Sequence, residues 1–216
     1  MKCIFTTTGT SLISKILAQY EDNTMQEEFD RLSDKYEITD FENEEIQQFM
    51  KEINKNWDIS LSEFSAETNS LNKMLEENLV NPQDDYLFLL HSDTLDGYIS
   101  TIQLEKVLKN RLHFIKVEKR IMKYIKTNDA ETFGKGLKNL RNIIADETRN
   151  RNFDEIIYNI TGSYKGVAAA ITVTAIYNSP IKFTICYLYQ NIPNIVRFAI
   201  NEGEVDLRIG NFLDKL

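Results

Sequence analysis

Two apolar runs in this chain each break off at a short turn of glycine and hydroxyl residues and pass directly into a helical period. That pattern dictates an open, largely parallel sheet. The first run, Lys2-Cys3-Ile4-Phe5, leads through Thr6-Thr7-Thr8-Gly9-Thr10-Ser11 into Leu12-Ile13-Ser14-Lys15-Ile16-Leu17. The second, Asp154-Glu155-Ile156-Ile157-Tyr158, leads through Asn159-Ile160-Thr161-Gly162-Ser163-Tyr164-Lys165-Gly166 into an almost wholly apolar helix beginning at Val167. Strand-to-helix turns lie at the carboxyl edge of a parallel sheet, and at the switch point their free N–H groups and helix N-termini attract anions. Two such turns, far apart in sequence, can build one cradle.

Within the first turn Gly9 permits close backbone approach, and Thr10 or Ser11 has two readings, a helix cap or a ligand contact. Lys165 falls in the first turn of the second helix, where the macrodipole disfavours a cation. A bound anion relieves that conflict; the alternative is an ammonium extended into water. Neither turn has the GxxxxGK[ST] or GxGxxG spacing, so nothing points to ATP or NAD.

Apolar periodicity gives strands over residues 2–8, 85–91, 112–117, 154–161 and 181–190. Helices are expected over 11–21, 24–37, 41–56, 63–78, 95–110, 131–150 and 165–178. The alternation predicts an α/β fold, a Rossmann-like, mainly parallel sheet with flanking helices in a single domain over 1–216. Residues 21–62 read as an acidic helical insertion after the first strand-helix unit. Residues 194–210 read as a C-terminal β-hairpin turning at Asn201-Glu202-Gly203. One apolar face on that hairpin is expected to extend the sheet edge or to meet a second subunit.

With 42% apolar residues the chain can bury an ordinary core. It lacks a run of about 18 apolar residues and a basic-then-apolar leader, so a cytoplasmic protein without a membrane partner is expected. Cys3 and Cys186, both in predicted strands, read as buried thiols rather than metal ligands. A net charge of −8 argues against a long nucleic acid as partner. The basic run from Lys106 to Arg141 is either a solvated surface or a local seat for a small polyanion. Only His91 and His113 are available for proton transfer, and neither belongs to an HxH or HExxH pattern. His113 is expected in a strand as a core or edge residue. His91 stands at a strand end, leading into Ser92-Asp93-Thr94 at the edge that carries the two turns. Asp93 and Asp96 read best as helix caps. A Ser11-His91-Asp93 triad is discounted because the turn is not a GxSxG elbow.

Five segments in order carry a resemblance to a known family: Thr7-Thr8-Gly9-Thr10-Ser11-Leu12; Ser65-Ala66-Glu67-Thr68-Asn69-Ser70-Leu71; Ser92-Asp93-Thr94-Leu95-Asp96-Gly97; Asp129-Ala130-Glu131-Thr132-Phe133 with Gly136-Leu137-Lys138-Asn139-Leu140; and Asn159 to Gly166. The chain resembles the CRISPR-associated Rossmann fold proteins, specifically the small stand-alone type that includes the ring nucleases. Ser163 departs from the pattern, since the family often has a second glycine there.

The resemblance implies a homodimer that binds a cyclic oligoadenylate, most simply cyclic tetra-adenylate, and cleaves it without a metal or other cofactor. It implies Ser11 and Lys165 as the catalytic residues. The ligand-binding set is expected to be Thr8, Gly9, Thr10, Ser92, Asp93, Thr94, Gly162, Ser163, Tyr164 and Gly166. Such cleavage needs little apparatus, because the ribose 2′-hydroxyl is the nucleophile and the protein has to orient it and stabilise charge on the phosphate. The alternative is a sensor that binds the same ring without cutting it and controls a partner.

Overall fold

The computed structural model describes residues 1–36, 41–56, 65–125, 129–149, 151–178, 182–188, 194–201, 204–209 and 212–214. The chain runs β1 (Lys2–Thr7), α1 (Ser11–Leu17), α2 (Thr24–Lys35), α3 (Glu44–Asn56), α4 (Ala66–Glu76), β2 (Tyr86–Ser92), α5 (Leu95–Asn110) and β3 (Lys116–Met122). It continues through α6 (Ala130–Arg149), β4 (Glu155–Asn159), α7 (Lys165–Asn178), β5 (Phe183–Leu188), β6 (Ile195–Asn201), β7 (Glu204–Ile209) and β8 (Phe212–Asp214).

The strands form one sheet in the order β3-β2-β1-β4-β5-β6-β7-β8. The first five are parallel, and β6 to β8 continue antiparallel from β5. Central β1 pairs with β2 on one side and β4 on the other, so the direction of winding reverses between β1 and β4. That junction is the switch point, and the two turns singled out in the sequence leave the sheet from these two strands.

Side chains of β1 alternate between two cores, as they must in a strand covered on both faces. Ile4 joins Leu87, Leu89, Ile157 and Cys186 beneath α1 to α5. Cys3 and Phe5 join Phe88, Leu90, Ile156 and Tyr158 beneath α6 and α7. The register sets Phe5 beside Phe88 and Tyr158, and their rings stack with centroids 5.2 and 5.7 Å apart. This aromatic row rigidifies the strands that deliver the site. Burial pushes the Cys186 thiol up to about 12 and raises that of Cys3 as well, in keeping with inert core thiols.

The acidic insertion holds α2 and α3. Its apolar side chains, Leu32, Ile46, Phe49 and Ile53, are buried in the first core, while Arg31 and Lys35 reach Glu45 on the outer face. The hairpin is present as β6 and β7 and extends the sheet edge; residues 202 and 203 of its turn lie outside the described residues. A further short strand, β8, was not anticipated.

The third strand departs most from expectation. Of residues 112–117 only Lys116 and Val117 belong to it; β3 spans Lys116–Met122. Leu112 and Phe114 instead close the end of α5, with Phe114 N–H donating to the Leu108 carbonyl at 3.1 Å. His113 sits in that turn, exposed, with φ of 57°, neither core nor strand. The true strand is a sheet edge whose side chains are half exposed, so charges replace apolar alternation. Among the described residues no helix is long and apolar enough to cross a membrane.

Candidate functional site

The first turn begins where β1 ends, with Thr8 N–H donating to the Leu90 carbonyl of β2 at 2.7 Å. Thr10 occupies the N-cap position of α1, yet its side chain makes no capping bond. Ser11 is the first residue of α1 and is exposed. The capping reading of these hydroxyls is therefore not realised. Thr8 is 8% exposed, and its Oγ1 has no partner among the described residues.

The second turn is organised by Asn159 at the end of β4. Its amide donates to Ser70 Oγ at 2.7 Å, and its Oδ1 accepts from Thr161 Oγ1 at 2.8 Å. Ser163 N–H returns to the Ile160 carbonyl at 3.1 Å. The hydroxyls of Thr7 and Ser163 hydrogen-bond to each other, joining the two turns directly.

Between the turns lies a carboxylate that was not anticipated as part of the site. Ser65 caps α4, its Oγ accepting from Thr68 N–H at 3.1 Å. This places Glu67 in the first turn, where a helix favours negative charge. Glu67 is 2% exposed and accepts from Gly9 N–H at 2.6 Å. A Cβ on Gly9 would lie 3.0 Å from Glu67 Oε1 and 3.1 Å from the Gly162 carbonyl oxygen. A Cβ on Gly162 would fall on the carboxyl group itself, 2.6 Å from Cδ. The approach of two turns and one acid is thus tight at Gly9 and leaves no room for a side chain at Gly162 while the carboxyl stays in place.

Above Glu67 opens a pocket of about 670 Å³. Thr7, Thr8, Thr10, Ser11, Ser92 and Ser163 give it a hydroxyl wall, and Met122, Ile125, Val167 and Tyr164 an apolar one. The structure therefore brings together Thr8, Gly9, Thr10, Ser11, Ser92, Gly162, Ser163 and Tyr164 from the expected set. Tyr164 is 71% exposed at the mouth.

Four expected residues stand apart from that lining. Lys165 is the first residue of α7 and exposed, beside the pocket rather than in its wall. Gly166 serves packing, since a Cβ there would lie 2.9 Å from the Phe133 ring. Thr94 caps α5 and shares a 2.7 Å hydrogen bond with Ser92. Asp93 does not cap that helix; its Oδ2 accepts from Tyr124 N–H at 2.8 Å, tying the loop after β2 to the loop after β3. Asp96 Oδ1 accepts from Gly97 N–H at 3.0 Å within the first turn of α5.

His91 is buried, with Nδ1 2.8 Å from the Ser92 carbonyl, and is not part of the wall. Burial holds its imidazole below the ordinary value, aided by the Lys119 charge, so it is neutral at neutral pH. Part of the basic run is neutralised locally: Lys109 and Lys119 pair with Glu105, Arg120 with Glu118 and Glu147, and Lys135 with Glu131. These pairs favour its reading as surface. Among the described residues no three His, Cys, Asp or Glu side chains gather in a group able to hold a metal ion.

The residues missed from sequence are Thr7, Glu67, Met122, Ile125 and Val167. Thr7 and Glu67 fall within segments that carry the family resemblance, but no local pattern marks either as part of the site. In comparison with known proteins, one family model matches residues 62–200, that of CRISPR-associated protein (Cas_APE2256). No curated protein matches the chain.

Proposed function

We propose, for a chain that belongs to the CRISPR-associated Cas_APE2256 family, that the switch-point pocket binds a cyclic oligoadenylate and that the protein cleaves it. The observation that carries this reading is the meeting of the β1 and β4 turns in one pocket with a hydroxyl wall and an apolar wall. A nucleotide has matching parts, with phosphate and sugar suited to the first and base to the second. The uncommitted hydroxyls of Thr10 and Ser11 stand at the rim.

In the proposed reaction the ribose 2′-oxygen attacks the adjacent phosphorus and the bond to the 5′-oxygen breaks. The 2′-hydroxyl gives up its proton and the departing 5′-oxygen gains one, leaving a 2′,3′-cyclic phosphate and a 5′-hydroxyl. Ser11 orients the phosphate or the attacking hydroxyl. Lys165, beside the mouth, supplies positive charge to the phosphate as negative charge builds there. With His91 buried in its carbonyl contact, no imidazole serves as base, and slow turnover suits an enzyme that switches a signal off.

Two copies of the chain are proposed to share the ring. On α7, Ala169, Val173 and Ile176 form an exposed stripe, the last two 53% and 55% exposed, on a helix whose N-terminus borders the pocket. A second copy covers this stripe, and two-fold symmetry then presents matching cradles to a ring with matching halves.

The sensor reading has one observation in its favour: Lys165 stands outside the pocket wall, where it can add affinity without chemistry. Incubation of the protein with cyclic tetra-adenylate and cyclic hexa-adenylate in EDTA, with products separated over time, decides between them. Linear products ending in a cyclic phosphate support the enzyme; bound rings that stay intact over hours leave the sensor. No binding of either ring removes both.

A further inference from the structure

We propose that Glu67 reads the sugar of the bound nucleotide, its free carboxylate oxygen accepting a hydrogen bond from a ribose 2′-hydroxyl. The proposal rests on the cyclic oligoadenylate reading of the pocket and adds to it the group that tells a ribonucleotide ring from a deoxyribonucleotide one.

Glu67 is nine-tenths or more buried and yet lines the pocket. Its Oε1 takes the Gly9 N–H at 2.6 Å, whereas Oε2 has no hydrogen-bond partner among the described residues. A carboxylate only accepts, so an idle oxygen against a ligand pocket selects a donor. It also repels phosphate, which moves the anionic part of the ligand away from the floor and toward the hydroxyls of Thr10 and Ser11 at the helix start. The apolar wall of Met122, Ile125 and Val167 takes the base, because burying flat apolar surface there is favourable while a phosphate would be desolvated. What remains over the floor is the sugar, whose 2′-hydroxyl is the donor that a deoxyribose lacks.

Its place in the fold suits a discriminating group. The cap at Ser65 fixes the start of α4, the Gly9 N–H fixes one oxygen, and the carboxyl occupies the space left by the missing side chain of Gly162. A preorganised acceptor of this kind rejects a ligand missing its donor, because its oxygen is then left buried and unpaired.

The test measures equilibrium binding of cyclic tetra-adenylate and its all-2′-deoxy analogue to the full chain. Wild type is expected to prefer the ribose ring by about tenfold or more, the scale of one hydrogen bond to a charged group. Glu67→Gln keeps the shape and an oxygen for Gly9 N–H but turns the second position from acceptor to donor. This variant should melt like wild type and lose the preference, binding both rings about equally. Equal affinity of wild type for the two rings overturns the proposal without any variant and leaves the pocket reading intact. A folded Glu67→Gln protein that keeps the wild-type preference also overturns it, as does one that weakens both rings by the same factor, which would assign Glu67 to the base. If wild type binds neither ring, the reading of the pocket falls and this proposal with it.

Discussion

Thr7 and Ser163, separated by 156 residues in the chain, meet hydroxyl to hydroxyl across the switch point of the sheet. The hydroxyl of Ser163 locks one turn to the other, a bond that a glycine at this position could not make. The backbone of the second turn is thereby held against the first, and the pocket floor is fixed by a side-chain bond as well as by strand pairing.

Ser163→Ala removes that bond and leaves Thr7 Oγ1, on a residue 2% exposed, without its partner. A loss of about 1–3 kcal/mol in unfolding free energy is expected for an unsatisfied buried hydroxyl. Chemical denaturation checks it, and a double variant with Thr7→Val should recover part of the loss.

Ser11→Ala tests the chemistry with little cost to the fold. Because Ser11 lies past the N-cap and Thr10 makes no capping bond, no helix cap is removed. The melting temperature should stay within about 2 °C of wild type, cyclic tetra-adenylate binding should persist, and product formation should fall strongly. Parallel melting, binding and cleavage assays separate these effects; unimpaired cleavage would remove Ser11 from the mechanism.

Lys165→Ala should lower single-turnover cleavage by about 10²-fold, by analogy with loss of one preorganised donor to a developing charge. Affinity should fall less. A loss confined to binding would mark the lysine as an electrostatic guide beside the pocket, the role its exposed position permits.

Replacing Val173 and Ile176 by glutamate should split a dimer without unfolding the subunit, since both side chains are more than half exposed. Light scattering is expected to give twice the chain mass for wild type and the chain mass for the double variant. A wild-type monomer at micromolar concentration would count against a ring shared between copies.

His91 makes stability depend on pH. Its folded-state value lies below the ordinary 6.5 because of burial, so below that pH the unfolded chain binds the proton more readily than the folded one. The stabilisation is fully present above pH 6.5 and declines as the pH falls through the depressed value. His91→Gln should flatten this part of the curve, read as the difference between the two proteins in denaturation from pH 7.5 down to about pH 5.

What sequence could reveal was whatever one segment encodes by itself. The β1 and β4 turns were legible because glycine and hydroxyl residues interrupt apolar runs at the start of helical periods. Their adjacency followed from the rules of parallel sheets. The third strand was illegible because an edge carries charge where an interior strand carries valine or leucine, and Leu112 and Phe114 imitated a strand while closing a helix. Glu67 was out of reach for another reason. Nothing in the segment Ser65 to Leu71 says that an acid in a capped helix will be buried between two distant glycines. The apolar wall was missed likewise, since Met122 and Ile125, at the end of β3 and in the loop after it, meet Val167 of α7 only in space.

The carboxyl of Glu67 fills the room a side chain at position 162 would need. One volume is thus divided between two positions that are 95 residues apart, 67 and 162 in the numbering of the chain. Evolution of this site is therefore constrained in pairs: alanine or serine can enter at 162 only as the acid at 67 shortens or withdraws, and either step taken alone meets a steric clash or an empty floor. Gly162 and Glu67 are two halves of one packing arrangement.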